Sequence, residues 1–389
     1  MMDYNSLLSD KVKTIAPSGI RRFFDLLENR PDAISLGVGE PDFVTPWHIR
    51  DAGVYALEKG FTKYTSNAGL LELRREISNY LYRRFDLYYD PKKQMLVTVG
   101  GSEAIDLCVR ALVGPGDEVI IPVPSFVCYG PIVTLAGGTP VYVETKVENE
   151  FRLTADELRS AITPRTKLLV LPFPNNPTGA VMEKSDLEAV ADVLRGTNIM
   201  VLSDEIYAEL SYGEKHVSIA NIDGMYERTI LVNGFSKSYA MTGWRMGYAC
   251  GPDVIIKQML KIHQYAIMSA PTTSQYAAVE ALRSGDSDIE AMKNDYNYRR
   301  RYLLEELGKL GLECFEPKGA FYMFPSIKST GLSSEEFCER LVMEQNVAVI
   351  PGNAFGQCGE GFVRMCYATS LRELQEALRR MKEFLDSLK

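Results

Sequence analysis

Between residues 94 and 251, short apolar runs alternate with segments whose apolar residues recur at helical spacing. The runs fall at 95–99, 118–122, 141–143, 167–171, 199–202, 229–232 and 246–249. Several lack the polar alternation of a strand with one wet face, so they read as strands covered on both faces by helices. The pattern predicts βα units feeding a mainly parallel, seven-stranded sheet. After about residue 284 the pattern changes to a long charged helical stretch at 288–310. Strands at 320–324, 347–350 and 362–367 and helices at 333–344 and 371–388 follow. Ser333 with Glu336, and Thr154 with Glu157, have capping-box spacing and mark helix starts. Before Pro46 the chain holds one helix, 18–29, and one short apolar run, 33–36, too little to fold alone. The expected organisation is a large α/β domain at 46–284, a smaller α+β domain at 285–389, and an N-terminal segment, 1–45, packed with the smaller domain.

Composition narrows the class of partner. The chain's 389 residues are 46% apolar and 24% charged, enough to bury a core without disulfide or metal staples. Lys and Arg number 43 against 51 Asp and Glu, a net charge of −8 that disfavours a nucleic-acid backbone or an anionic membrane as partner. Seven scattered cysteines, odd in number and without a CxxC pair, read as reduced core thiols. His48, His216 and His263 have no second ligand at a metal-binding spacing, so no metal site is expected. The first residues carry an early acid and no apolar leader core, and no apolar run nears the ~20 residues that span a bilayer. A cytoplasmic location is expected.

Chemistry gathers where ligands bind in open α/β sheets, beyond the carboxyl ends of the strands. After 95–99 comes Gly100-Gly101-Ser102-Glu103-Ala104 and then a helix, which offers backbone N–H groups, a hydroxyl and a positive dipole end to an anion such as phosphate. The same residues also suit an ordinary strand-to-helix turn. After 167–171 comes a rigid loop with Asn175-Asn176-Pro177-Thr178-Gly179, and after 199–202 come Asp204 and Tyr207. Asp204 also suits a helix N-cap. After 229–232 lies Lys237, between small hydroxyl residues in a largely uncharged segment, where desolvation lowers a lysine pKa and makes an imine-forming nucleophile. An anion cradle, an acid, a phenol, an amide, a lysine and Arg245 on one sheet edge match the needs of pyridoxal phosphate.

The segment Ser236-Lys237-Ser238-Tyr239-Ala240-Met241-Thr242-Gly243-Trp244-Arg245-Met246-Gly247 resembles the lysine-attachment motif of the class I/II aminotransferases, the aspartate aminotransferase group. The resemblance runs from Gly37-Val38-Gly39-Glu40-Pro41-Asp42-Phe43 through Asn175-Asn176-Pro177-Thr178-Gly179 to Arg364-Met365-Cys366-Tyr367-Ala368. It implies the type I fold of pyridoxal-phosphate-dependent transferases and a ping-pong exchange of an amino group between an L-amino acid, of aspartate, aromatic or similar type, and a 2-oxo acid. By the same resemblance, Lys237 forms the internal aldimine and shuttles the proton. Asp204 keeps the pyridine nitrogen protonated, and Asn176 and Tyr207 bond the 3-oxygen. Gly101, Ser102, Ser236 and Arg245 hold the phosphate, joined by Tyr64 of a second subunit, so a homodimer with shared sites is implied. Phe126 stacks on the cofactor ring, where many members carry Trp, and Arg364 grips the substrate α-carboxylate beside the Gly39 backbone.

Two other activities compete. A carbon–sulfur β-lyase of the same fold uses the same cofactor to expel a β-substituent. A serine hydrolase is suggested by 100–104, which lacks the last glycine of GxSxG. A non-catalytic protein on this fold has no need to keep Lys237, Asp204, Tyr207, Arg245 and Arg364 together. The side-chain preference stays open between a distal cation, with Arg22 and Lys63 in view, and an apolar wall of Ile20, Tyr64, Phe126 and Tyr265.

Overall fold

The computed structural model describes residues 2–17, 19, 20, 30 and 32–389. The helix expected at 18–29 lies outside them apart from Gly19 and Ile20, and so does Arg22. In chain order the strands are β1 (Ile34–Ser35), β2 (Met95–Thr98), β3 (Glu118–Val123), β4 (Thr139–Glu144), β5 (Thr166–Leu171) and β6 (Met200–Asp204). They continue with β7 (Thr229–Gly234), β8 (Gly247–Cys250), β9 (Tyr322–Met323), β10 (Val347–Ala348), β11 (Ile350–Pro351) and β12 (Val363–Cys366). The seven expected runs become β2 to β8 and form one sheet in the order β2-β8-β7-β6-β5-β3-β4. β2, β3, β7 and β8 are buried throughout, as strands sandwiched between helices should be, whereas the edge strand β4 is largely half-buried or exposed.

Pairing is parallel except around β8, which runs antiparallel to both β2 and β7. This exception positions the site. Gly247, at the start of β8, pairs with Thr98 and Gly234 at the ends of β2 and β7, so the residues just before β8 reach the same sheet edge as those just after the parallel strands. The approach there is tight. A Cβ at Gly247 would lie 2.5 Å from the Gly100 carbonyl carbon and 2.6 Å from the Gly101 nitrogen, so only glycine fits.

A three-stranded antiparallel sheet, β11-β12-β9, and the parallel pair β1-β10 lie outside this sheet. Helices Asp286–Lys309, Ser334–Gln345 and Leu371–Ser387 accompany them. The Thr154–Glu157 capping box forms as its spacing implies, and Ser333 accepts the Glu336 N–H. The expected run 347–350 is two strands in different sheets: β10 pairs with β1, and β11 with β12. Among the described residues no helix is long and apolar enough to cross a membrane, and no cluster of His, Cys, Asp or Glu could hold a metal ion.

Candidate active site

A cavity of about 400 Å³ opens at the carboxyl edge of the large sheet. Gly39, Gly101, Ser102, Phe126, Asn176, Asp204, Tyr207, Ser236, Lys237, Arg245 and Arg364 all line it, although they span most of the chain. Each comes from a strand end or from β12, which explains how short local motifs converge on one place.

The floor is acidic and buried. Asp204, the last residue of β6, is 7% exposed, and its Oδ2 accepts the Tyr129 hydroxyl at 2.7 Å. Burial pushes its carboxyl up to about 6, while the Tyr129 hydroxyl and the Ile206 N–H pull the other way. Tyr207, three residues on, exchanges a hydrogen bond with Tyr322 of β9 at 2.8 Å between hydroxyl oxygens. Burial holds the Tyr207 phenol well above its ordinary value, so it stays an O–H.

The lysine stands above this floor. Lys237 Nζ donates to the Gly39 carbonyl at 2.6 Å and faces the rings of Tyr207 and Phe321 at 5.8 and 5.6 Å. Burial pushes its pKa down to about 8, with smaller upward pulls from Cys366 and Glu40. The amine therefore becomes neutral, and nucleophilic, within reach of physiological pH. The loop around it holds two non-glycine residues in the left-handed region, Ala240 (φ 51°) and Arg245 (φ 52°), the kind of strain that collects at functional sites. Arg245 lies across Gly100, where a Cβ would meet Nη2 at 2.7 Å. Its guanidinium thus sits over the first turn of the Gly100–Leu112 helix, whose N–H groups lack intrahelical acceptors.

Arg364, 3% exposed on β12, donates to Asn176 Oδ1 at 2.9 Å and to the Gly37 carbonyl at 2.6 Å. The rings of Tyr322 and Phe355 flank its guanidinium at 4.7 and 4.8 Å, and its Nε is buried without a partner. The backbone carbonyl beside Arg364 is that of Gly37, while Gly39's carbonyl is bonded to Lys237.

Not every residue singled out in the sequence reaches the cavity. Ile20 and Phe126 line it, but Tyr64 (80% exposed) and Tyr265 (94%) face outward, and Lys63 is not among the lining residues. All three histidines are engaged away from Ser102. His48 bonds Glu280 and Asp288, His216 bonds Glu205, and His263 bonds Glu103, so the serine-hydrolase alternative has no base for its serine. Tyr129 and Tyr322 were not picked out from the sequence. Tyr129 lies three residues after Phe126 and so shared its motif, whereas nothing local marks Tyr322.

The donor set fits pyridoxal phosphate. The cavity lining combines a buried acid, phenol and amide side chains and a lysine of lowered pKa. Glycines packed too closely to admit a Cβ leave first-turn N–H groups beside an arginine. Fold and site together define a pyridoxal-phosphate-dependent transferase. Comparison with known proteins narrows this further. Residues 31–381 match aminotransferase class I and II. An aspartate aminotransferase of Pyrococcus abyssi (strain GE5 / Orsay) is 48% identical over 381 residues, covering 97% of this chain and 98% of that protein. Aromatic-amino-acid aminotransferase 2 of Thermococcus litoralis is 47% identical over 385 residues, covering 98% and 99%. The solved structure of aspartate aminotransferase from Thermus thermophilus with maleate aligns with a TM-score of 0.92 at 41% identity, covering 97% of this chain and 99% of the other. The chain belongs to the class I and II aminotransferases and is a pyridoxal-phosphate-dependent enzyme that moves an amino group between an L-amino acid and a 2-oxo acid.

Proposed function

We propose that this aminotransferase acts on amino acids of the aspartate or aromatic type, with Lys237 as its catalytic lysine. The observation that carries the reading is the convergence of Lys237, Asp204, Tyr207, Asn176, Arg245 and Arg364 on one cavity. Bound pyridoxal phosphate supplies an aldehyde that condenses with amines and a ring that withdraws electrons from the substrate α-carbon. Gly101, Ser102, Ser236 and Arg245 would hold its phosphate, Asp204 its ring nitrogen, Tyr207 and Asn176 its 3-oxygen, and Phe126 one face of its ring. Lys237 Nζ moves the proton at the substrate α-carbon, for which a pKa near 8 suits both removal and return. Arg364 binds the α-carboxylate through paired N–H donors, fixed in place by two aromatic faces, with the Gly39 backbone alongside.

The choice of side chain is supported by the lining. Among the described lining residues the cations are Lys237, Arg245 and Arg364, all assigned above, while Ile20, Val38, Phe126 and Tyr322 form an apolar wall. The apolar wall suits an aromatic side chain, while Arg22, the candidate cation for an acidic one, lies outside the described residues. Tyr64, exposed on its own subunit, would complete the phosphate site of a second subunit, making a homodimer with shared sites. We divide the chain into 46–284 and 285–389; within 1–45, β1 joins the smaller domain through β10, whereas the start of the segment packs on the larger one, Lys11 donating to the Leu135 carbonyl. We place the enzyme in the cytoplasm.

The test is an absorption spectrum of the purified protein before and after L-glutamate, beside Lys237→Ala, followed by kcat/KM for aspartate, phenylalanine and tyrosine. A visible band that glutamate converts in the wild type but not in the variant, with the aromatic substrates ahead, is the expected result. Pyruvate and ammonia released from a β-substituted amino acid without any oxo acid would instead favour the lyase.

A further inference from the structure

The first turn of the Gly100–Leu112 helix carries a buried acid–imidazole pair that the chemistry above does not use. Glu103 Oε1 lies 2.6 Å from His263 Nδ1, and Glu103 Oε2 accepts the Val99 N–H at 2.5 Å. The His263 side chain is fully buried, that of Glu103 is 10% exposed, and His263 Nε2 has no partner. An ionised carboxylate can only accept, so it pairs with the imidazole tautomer that donates from Nδ1. The pair links two helices, Gly100–Leu112 and Asp253–Ala266, across 160 residues of chain.

What the pair grips is the turn at 99–102. Gly100 is held there at φ +76° against Arg245, and the Thr98 hydroxyl donates to the Gly100 carbonyl at 2.9 Å. A carboxylate bonded to the Val99 N–H from inside the protein fixes the direction in which the Gly101 and Ser102 N–H groups point, and the imidazole fixes the carboxylate. Packing alone would be served as well by apolar residues of the same volume, because burying ionisable groups is costly.

We propose that Glu103 and His263 are positioning residues for the cofactor phosphate, acting through the 99–102 turn. The proposal rests on the phosphate assignment to Gly101, Ser102, Ser236 and Arg245. It requires that loss of the pair weaken pyridoxal phosphate and spare pyridoxal, which has the same ring and aldehyde but no phosphate.

The experiment titrates cofactor-free protein with each compound, following the visible absorption, for the wild type, Glu103→Ala, Glu103→Gln, His263→Leu, His263→Asn and Arg245→Ala. Glu103→Ala and His263→Leu are expected to weaken pyridoxal phosphate about ten-fold or more, the scale of one charge-assisted hydrogen bond, and to leave pyridoxal within about two-fold. His263→Asn, whose amide can offer an N–H to the same carboxylate, recovers most of the loss. Should the apolar variants not fold, Glu103→Gln against His263→Asn carries the comparison, with the glutamine variant the weaker for pyridoxal phosphate alone. Equal weakening of both compounds, or of neither, overturns the proposal. Arg245→Ala separates the two levels of the argument. If it loses the preference for the phosphorylated compound while the Glu103 and His263 variants keep it, the pair has no such role; if it also keeps the preference, the phosphate assignment is wrong and the proposal falls with it.

Discussion

Replacing Asp204 by Asn should stabilise the cofactor-free protein while weakening its hold on the cofactor. Burial raises the Asp204 carboxyl from an ordinary 3.8 to about 6, a rise of roughly two units, or about 3 kcal/mol. The sign follows from linkage. Because the folded state binds this proton more tightly than the unfolded chain, folding loses stability as pH climbs from about 4 to about 6, and the loss is complete above that window. An asparagine cannot ionise and is spared it. The stability difference, variant minus wild type, should therefore grow by ~1.4 kcal/mol per pH unit between about pH 4 and 6 and then level off. Any fixed cost of the new amide, at most a few kcal/mol, shifts the whole curve without changing its slope. Urea unfolding of the two cofactor-free proteins from pH 4 to 8 reads the slope directly. Saturating pyridoxal phosphate should reverse the order, since the carboxylate then gains a positive partner that the amide cannot match. A difference that is flat with pH, or that falls through this window, would refute the reasoning that Asp204 is ionised against the preference of its own pocket.

Tyr322→Phe should shift the pH at which the visible band of the lysine-bound cofactor changes, by at most about one unit, because Tyr207, the proposed partner of the 3-oxygen, loses the hydroxyl it is bonded to. Tyr207→Phe should shift it further; a shift with Tyr207→Phe and none with Tyr322→Phe would remove the second hydroxyl from the tuning. Arg364→Lys keeps the charge but loses the planar fork, so kcat/KM for amino acids should fall about 10- to 100-fold, mostly through KM. An unchanged KM would mean the α-carboxylate binds elsewhere. Co-expressing Lys237→Ala with Tyr64→Ala should recover activity that neither chain has fully alone, because one site of the mixed dimer then has both residues intact; no recovery would argue against a shared site.

Legibility in the sequence followed the range of the contacts involved. The strands were visible because β2 to β8 are short apolar runs, and the run at 141–143 came out short only because the rest of β4 lies at a half-wet edge. The split of 347–350 into β10 and β11 was hidden, since both halves are buried and only their partners, β1 and β12, tell them apart. The antiparallel sense of β8 was equally silent in the runs, because the twelve residues between β7 and β8 are as long as a minimal crossover connection. Apart from Tyr64, which lies between two helices, the groups assigned to the cofactor sit at or just beyond strand ends, so each announces itself within a few residues. The groups that adjust them do not. Tyr129 reaches Asp204 across 75 residues, Tyr322 reaches Tyr207 across 115, and His263 reaches Glu103 across 160. Such partners are chosen by packing rather than by local pattern, so the residues that set a proton affinity or hold a turn emerge only once the chain is folded, while those that touch the chemistry can be read in line.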